Sequence, residues 1–275
     1  MKLSIRTLII SILTFMILGI TLFPILWMFS SSLKPEGTIL STSTIWIPKK
    51  ITLTNYKDLF NRFHFQKYLL NSIIIAVSTT IISIMFGVVA AYGFSRYNFP
   101  GSSKLLFLVI LVRLFTPAAL VIPLYGMLDW LGLSDTLLSI IIGVTALNLP
   151  FVIFMMKAFF DDFPKELEEA AKVDGMSPFR TLVTIVIPLS MPAIVTVALF
   201  SFSLGWNDFL FGLSFSQTIK SMPVTVAIAS MDTGFKIYWG AMMAGGTVLS
   251  IPILLITLIF QKYFVRGISA GALKQ

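Results

Sequence analysis

Apolar and polar positions in this chain alternate in long blocks, not with the short periods of a soluble domain. Six mostly apolar stretches lie at about residues 8–29, 69–94, 105–128, 137–159, 185–211 and 239–260. Each reaches the roughly 20 residues that a helix needs to cross a bilayer. The pattern predicts an all-α, polytopic membrane protein with six transmembrane helices. The first stretch follows Lys2 and Arg6, as a secretory signal would. Its apolar run is too long for one and no small-residue cleavage site follows, so it reads as a retained helix. The polar breaks suggest three parts: an N-terminal helix with an extracytoplasmic loop (1–68), a five-helix core (69–264) with a polar cytoplasmic loop at 160–184, and a C-terminal tail (265–275).

The polar loop contains "KELEEAAKVDG", residues 165–175, the one strongly charged block between long apolar runs. Pro164 suits the first turn of a helix. At helical spacing Leu167, Ala170, Ala171 and Asp174 share a face, small and mostly apolar, while Glu166, Glu169 and Lys172 point elsewhere. Gly175 ends the helix, because glycine accepts left-handed geometry at a C-terminus. Ser177 and Pro178 then start a second helix as N-cap and first residue, leading through Ile185 and Pro188 into the fifth stretch. Two uses fit such a piece. It docks into a groove of another protein, or it lies on the bilayer as an amphipathic connector.

Within the apolar stretches, Ser83, Gly87 and Ala91, and Gly240, Ala244, Gly245 and Gly246, form small-residue stripes. Such stripes let helix backbones approach closely in lipid, in a bundle or against a second membrane subunit. Prolines 117, 123, 150, 188, 192 and 252 interrupt four of the stretches. Arg113 is the one charge deep inside a stretch. It faces a cavity or partner, or it snorkels to an interface.

Composition narrows the function. The chain is 57% hydrophobic and 12% charged over 275 residues, with no cysteine and a single histidine, His64. Thiolate chemistry is excluded, a His-rich metal site has no residues to build on, and a single histidine speaks against a Ser-His-Asp triad. A net charge of +8 would suggest nucleic acid in a soluble protein, but here the basic residues flank apolar spans. They speak for orientation in lipid and against a nucleic-acid partner. With both termini cytoplasmic, eleven Lys and Arg lie inside and eight outside, six of the eight in the long loop 30–68. Trp27, Trp46, Trp130, Trp206 and Trp239 then all fall on the extracytoplasmic side. There is no G-x-x-x-x-G-K-[ST] loop to cradle nucleotide phosphates.

The segment "EAAKVDGMSPFRTLVTIVIP" follows the pattern E-A-A-x3-G-x9-I-x-x-P, with Glu169, Ala170, Ala171, Gly175, Ile185 and Pro188 in place. On these residues the chain resembles the membrane subunits of ABC importers. "NSIIIAVSTTIISIMFGVVAAYGFSRYNFPG", "GWNDFLF" and "WGAMMAGGTVLSIPILLITLIFQKYFVRGISAGALKQ" resemble the second-span, fifth-span and C-terminal blocks of sugar-importer permeases, in particular the shorter, maltose-permease-like subunit. The likeness covers roughly residue 50 to the end. The chain closes on Lys274-Gln275 where that family commonly has Lys-Gly.

The resemblance implies a type I ABC-importer architecture with several partners: a second related permease forming a heterodimer, an ATPase dimer that binds the ATP and Mg, and an extracytoplasmic solute-binding protein. This chain would hold no cofactor and no metal and would not itself be an enzyme. Block 165–175 would be the coupling helix, with Glu169, Ala170, Ala171, Asp174, Gly175 and Pro188 its key residues. Arg266, Gly267, Gly271 and Lys274 would lie in a tail reaching the ATPase. The loop at about 212–238 would face the binding protein. The cargo would be a di- or oligosaccharide, a polyol or a related glycoside, in the cytoplasmic membrane of a bacterium or archaeon. Sugars need aromatic faces and neutral hydrogen-bonding groups, which makes Tyr125, Asn148, Trp206 and Asn207 pathway candidates beside Arg113. A secondary transporter or channel is the competing reading. It would need intramembrane carboxylates, and no Asp or Glu lies deep in a stretch, Asp208 being near an outer end. An ABC permease for a non-sugar solute is the third.

Overall fold

A computed structural model describes the backbone of residues 5–41, 45–46, 48 and 50–272, and the side chains of 9–41, 45–46, 48 and 50–261. Among these residues the chain is helical apart from turns and one isolated bridge between Asp232 and Ile237. The helices are α1 (Ile5–Ser32), α2 (Glu36–Ile39), α3 (Thr54–Asn61), α4 (Phe65–Arg96), α5 (Ser102–Leu111), α6 (Pro117–Trp130), α7 (Leu137–Asp161) and α8 (Lys165–Val173). They continue as α9 (Pro178–Thr181), α10 (Ile187–Leu189), α11 (Met191–Trp206), α12 (Leu210–Phe215), α13 (Val224–Ala229) and α14 (Trp239–Ala272).

Four helices, α1, α4, α7 and α14, are long and apolar enough to cross a membrane unbroken. The third and fifth expected spans are not continuous helices. α5, with a 3₁₀ turn at Val112–Leu114, meets α6 at 103°, and Pro178–Leu189 meets α11 at 81°. The count is four spans, or up to six if each bent pair crosses as one. The causes are local. Pro117 is the first residue of α6 and forces Thr116 into an extended conformation, ψ 141°. Pro188 and Pro192 flank the second break at Ser190 and remove two backbone donors. Leu182–Val186 adds a π-helical turn before it, a common companion of bends.

The chain divides into two compact units. One comprises residues 1–66 and 227–252. In it Asn55 Nδ2 donates to the carbonyls of Ser32 and Lys34 at 2.7 and 2.8 Å, and the Gly240 N–H donates to Glu36 Oε2 at 2.9 Å. Gly240, Gly245 and Gly246 lie directly against Asn55, Ile228 and Met28, so this small-residue stripe serves packing within the chain. Among the described side chains of α1, the apolar ones from Ile9 to Leu26 are exposed, as suits a helix facing lipid.

The other unit comprises residues 67–226 and 253–275. α7 is its centre, packing against α5, α6, α11 and α12. Its C-terminal half joins one core: Val152, Met156 and Phe160 with Val88, Ala91 and Tyr92 of α4, Leu182 and Val186 of the π turn, and Ile194 and Val197 of α11. Its N-terminal half, through Ile140, Ile141 and Val144, joins a second with Ile75, Leu128, Phe211 and Phe215. Close backbone approach is needed where Gly205 of α11 meets α4, since a Cβ there would lie 2.9 Å from the Ala76 Cα.

Candidate functional site

The charged block folds as the sequence predicts. α8 spans Lys165–Val173 behind Pro164. It ends in a Schellman motif: the Gly175 N–H donates to the Lys172 carbonyl at 3.1 Å, and that of Met176 to Ala171 at 3.0 Å. Gly175 has φ +77°, where a Cβ is penalised. Ser177 caps α9 by accepting from the Arg180 N–H at 3.4 Å, with Pro178 as first residue.

Of the face expected to be apolar, only Ala171 is buried within the chain; Leu167, Ala170 and Asp174 are exposed, as are Glu169 and Lys172. Val173 is 88% exposed and Phe179 68%. The loop therefore presents large apolar side chains among charges on an unfilled surface, which is the make-up of a docking site. Pro188 is exposed, just before the bend at Ser190.

Sequence reasoning missed Glu168, the neighbour of the motif glutamate. Its carboxylate meets Arg96 at the end of α4, 2.7 Å to Nη2 and 2.8 Å to Nε, and accepts from the Tyr92 hydroxyl at 2.8 Å. A lone Glu in a charged helix carries no local signal of such a partner.

The pathway candidates are held by different neighbours. Arg113 lies at the break between α5 and α6, exposed, with Nη1 donating to the Leu147 carbonyl at 3.4 Å and the guanidinium 5.3 Å from the Phe151 ring. Tyr125 accepts from Gln217 Nε2 at 3.2 Å and lies beside Phe215. Asn148 is fully buried on α7; its Oδ1 accepts from Ser201 at 3.4 Å, while its Nδ2 has no partner within the chain. Trp206 is 1% exposed and stacked on Phe202 at 5.8 Å. Asn207 is exposed and folds back on the Ser203 carbonyl at 2.8 Å. A largely apolar cavity of about 340 Å³ lies along α11 and the later part of α14, with Ser203, Thr257 and Gln261 as its polar lining. Of the tail residues, Arg266, Gly267 and Gly271 fall in the helical backbone of α14, their side chains outside the described residues, and Lys274 lies outside altogether. Among the described residues no cluster of three His, Cys, Asp or Glu could hold a metal.

Two carboxylates organise loops of the second unit. Asp135, at φ +54°, accepts from the N–H groups of Gln217 and Thr218 (2.8 and 3.0 Å), the Thr218 hydroxyl (2.6 Å) and the Ser221 hydroxyl. Burial alone would raise its pKa, but these hydrogen bonds outweigh it and hold the carboxyl well below the usual range. Asp208, just past the end of α11, accepts from the Gly212 N–H at 2.9 Å.

The fold is thus multi-pass and helical, with an exposed helix–turn–helix between α7 and α11. The chain belongs to the family of binding-protein-dependent transport system inner membrane components, whose pattern it matches over residues 83–270, and is a permease subunit of an ABC-type importer. It is 37% identical over 266 residues to the trehalose transport system permease protein SugB of Mycobacterium tuberculosis (strain CDC 1551 / Oshkosh), covering 96% of each chain. It is 36% identical over 258 residues to the trehalose/maltose transport system permease protein MalG of Thermococcus litoralis, covering 93% of this chain and 92% of that one. Its fold is that of a subunit of a bacterial ABC transporter involved in the import of the acidic polysaccharide alginate, with a TM-score of 0.80 at 24% identity, covering 95% of this chain and 98% of that one.

Proposed function

We propose that this chain is one half of the translocation pathway of an ATP-driven importer for di- or oligosaccharides or related glycosides. It would pair with a second, related permease. Its energy would come from a separate ATPase dimer that binds ATP and Mg. Its cargo would be delivered by an extracytoplasmic solute-binding protein. The observation that carries this reading is the exposed loop 165–180: a capped helix, a left-handed glycine turn and a second capped helix, bearing Val173 and Phe179 toward solvent. In a chain without a nucleotide-binding loop, that surface is where an ATPase would dock, with Glu169, Ala170, Ala171, Asp174 and Gly175 shaping it and Pro188 fixing its exit. The tail residues Arg266, Gly267, Gly271 and Lys274 would reach the same partner. The sugar assignment is supported by relatives whose names specify trehalose and maltose.

In this reading both termini are cytoplasmic, the membrane is that of a bacterium or archaeon, and the sequence parts are 1–68, 69–264 with the coupling loop 160–184, and 265–275. Arg113, Tyr125, Asn148, Trp206 and Asn207 would border the sugar's route.

The test is purification of tagged protein from its own membrane, wild type beside Glu169→Lys/Gly175→Asp, with ATPase assay of the eluate. An ATPase and a second permease should accompany the wild type, and the ATPase alone should be lost from the variant. A wild-type protein purifying without any ATPase would overturn the reading.

A further inference from the structure

Load placed on α8 has two routes into the membrane part of the chain. The route along the backbone runs through the Gly175 turn, the π turn at Leu182–Val186 and the 81° break at Ser190 before it reaches α11. Each of these is a place where a helix stops transmitting as a rod. The second route is through side chains and crosses none of them. Glu168, in the middle of α8, places Oε1 on Arg96 Nε and Nη2 at 2.8 and 2.7 Å and Oε2 on the Tyr92 hydroxyl at 2.8 Å.

Both charged side chains are nearly enclosed, 9% and 13% exposed. The arginine is braced in turn: Nη1 donates to Ser95 Oγ at 2.8 Å and Nη2 to the Phe163 carbonyl at 3.4 Å. Ser95 donates to Asp161 Oδ1 at 2.6 Å, and Lys157 pairs with Asp161 Oδ2 at 2.6 Å, so the last turn of α7 is joined as well. Beneath the pair, the Tyr92 ring packs edge-on against Phe160 in the core shared by α4, α7 and α11. Two guanidinium N–H groups hold Oε1 and the Tyr92 hydroxyl holds Oε2, and a charge-assisted contact fixed at both carboxylate oxygens resists rotation as well as separation. Opening it would leave charge in an enclosed site.

We propose that Arg96, Glu168 and Tyr92 form a strut that carries displacement of α8 directly into span α4. Glu168 is a positioning residue in this scheme, distinct from the exposed Glu169 beside it. The inference rests on the reading of α8 as the ATPase-coupling helix.

The chain has no cysteine, so reporter cysteines can be placed singly: Lys165→Cys at the start of α8, and Val89→Cys on the exposed face of α4. Each is labelled with an environment-sensitive fluorophore in the purified complex in nanodiscs, and ATP is added. In the wild-type background both reporters should respond. In Glu168→Gln the reporter at 165 should still respond, while the amplitude at 89 falls about fivefold or more. A response at 89 equal to wild type in Glu168→Gln overturns the strut alone. A wild-type complex silent at both reporters overturns the coupling reading and the strut with it. Should Glu168→Gln also silence the reporter at 165, Arg96→Lys decides, since it keeps the charge and loses the rigid planar pair of donor nitrogens. With 165 responding, an amplitude at 89 of about half or less supports the strut, and an unchanged one overturns it.

Discussion

Single residues set the geometry on which everything larger depends, and two glycines show how differently they do so. Gly175 is required by conformation: at φ +77° it turns the chain between α8 and α9, and a side chain there costs about 1–2 kcal/mol. Gly175→Ala should leave the protein in the membrane but weaken retention of the ATPase on washing, read as the ATPase-to-permease ratio in the eluate. Gly205 is required by space. Its missing Cβ would sit 2.9 Å from the Ala76 Cα, so Gly205→Leu should lower stability by about 1–3 kcal/mol through overpacking, measured as a drop in the melting temperature of the detergent-solubilised protein.

Between elements, Asp135 ties the loop after α12 to the turn before α7 and so predicts a pH dependence. The Asp135 carboxyl is held below its ordinary value, so its contribution is present above the usual carboxylate range and fades as pH falls through it. Asp135→Ala removes the acceptor of four donors, and the 216–221 loop should become a preferred site of limited proteolysis.

For the whole molecule, the prediction concerns sidedness. If the termini are cytoplasmic, as proposed, loop 165–180 is inside and the loop at about 212–238 outside. Phe235 is fully exposed, so Phe235→Cys should react with an impermeant maleimide in intact cells. Lys165→Cys should react only after the cells are opened. The reverse pattern would place α8 on the wrong side for a cytoplasmic ATPase.

What was legible in the sequence is what is decided within a few residues or by composition. Hydropathy alone marks the apolar stretches, because lipid forces every buried backbone group into helix. The end of α8 at Gly175 and the start of α9 at Ser177-Pro178 were equally legible, because caps are local. Proline positions marked where spans would be disturbed, but not which would bend: Pro117 and the pair Pro188 and Pro192 lie at bends of 103° and 81°, while Pro150 and Pro252 lie inside unbroken helices. Long-range partners left no trace. Glu168 and Arg96 are 72 residues apart, and Asp135 reaches Ser221 across 86. Nor did the sequence show that Asn148 and Trp206, both candidates for the sugar's route, are buried within the chain. By itself the sequence determined a helical membrane permease with a capped helix–turn–helix between its fourth and fifth apolar stretches. Only the tertiary structure decided which carboxylate ties α8 to α4 and which proline-bearing spans are bent, because a contact between elements far apart in the chain leaves no mark on the residues beside it, and a proline permits a bend without requiring one.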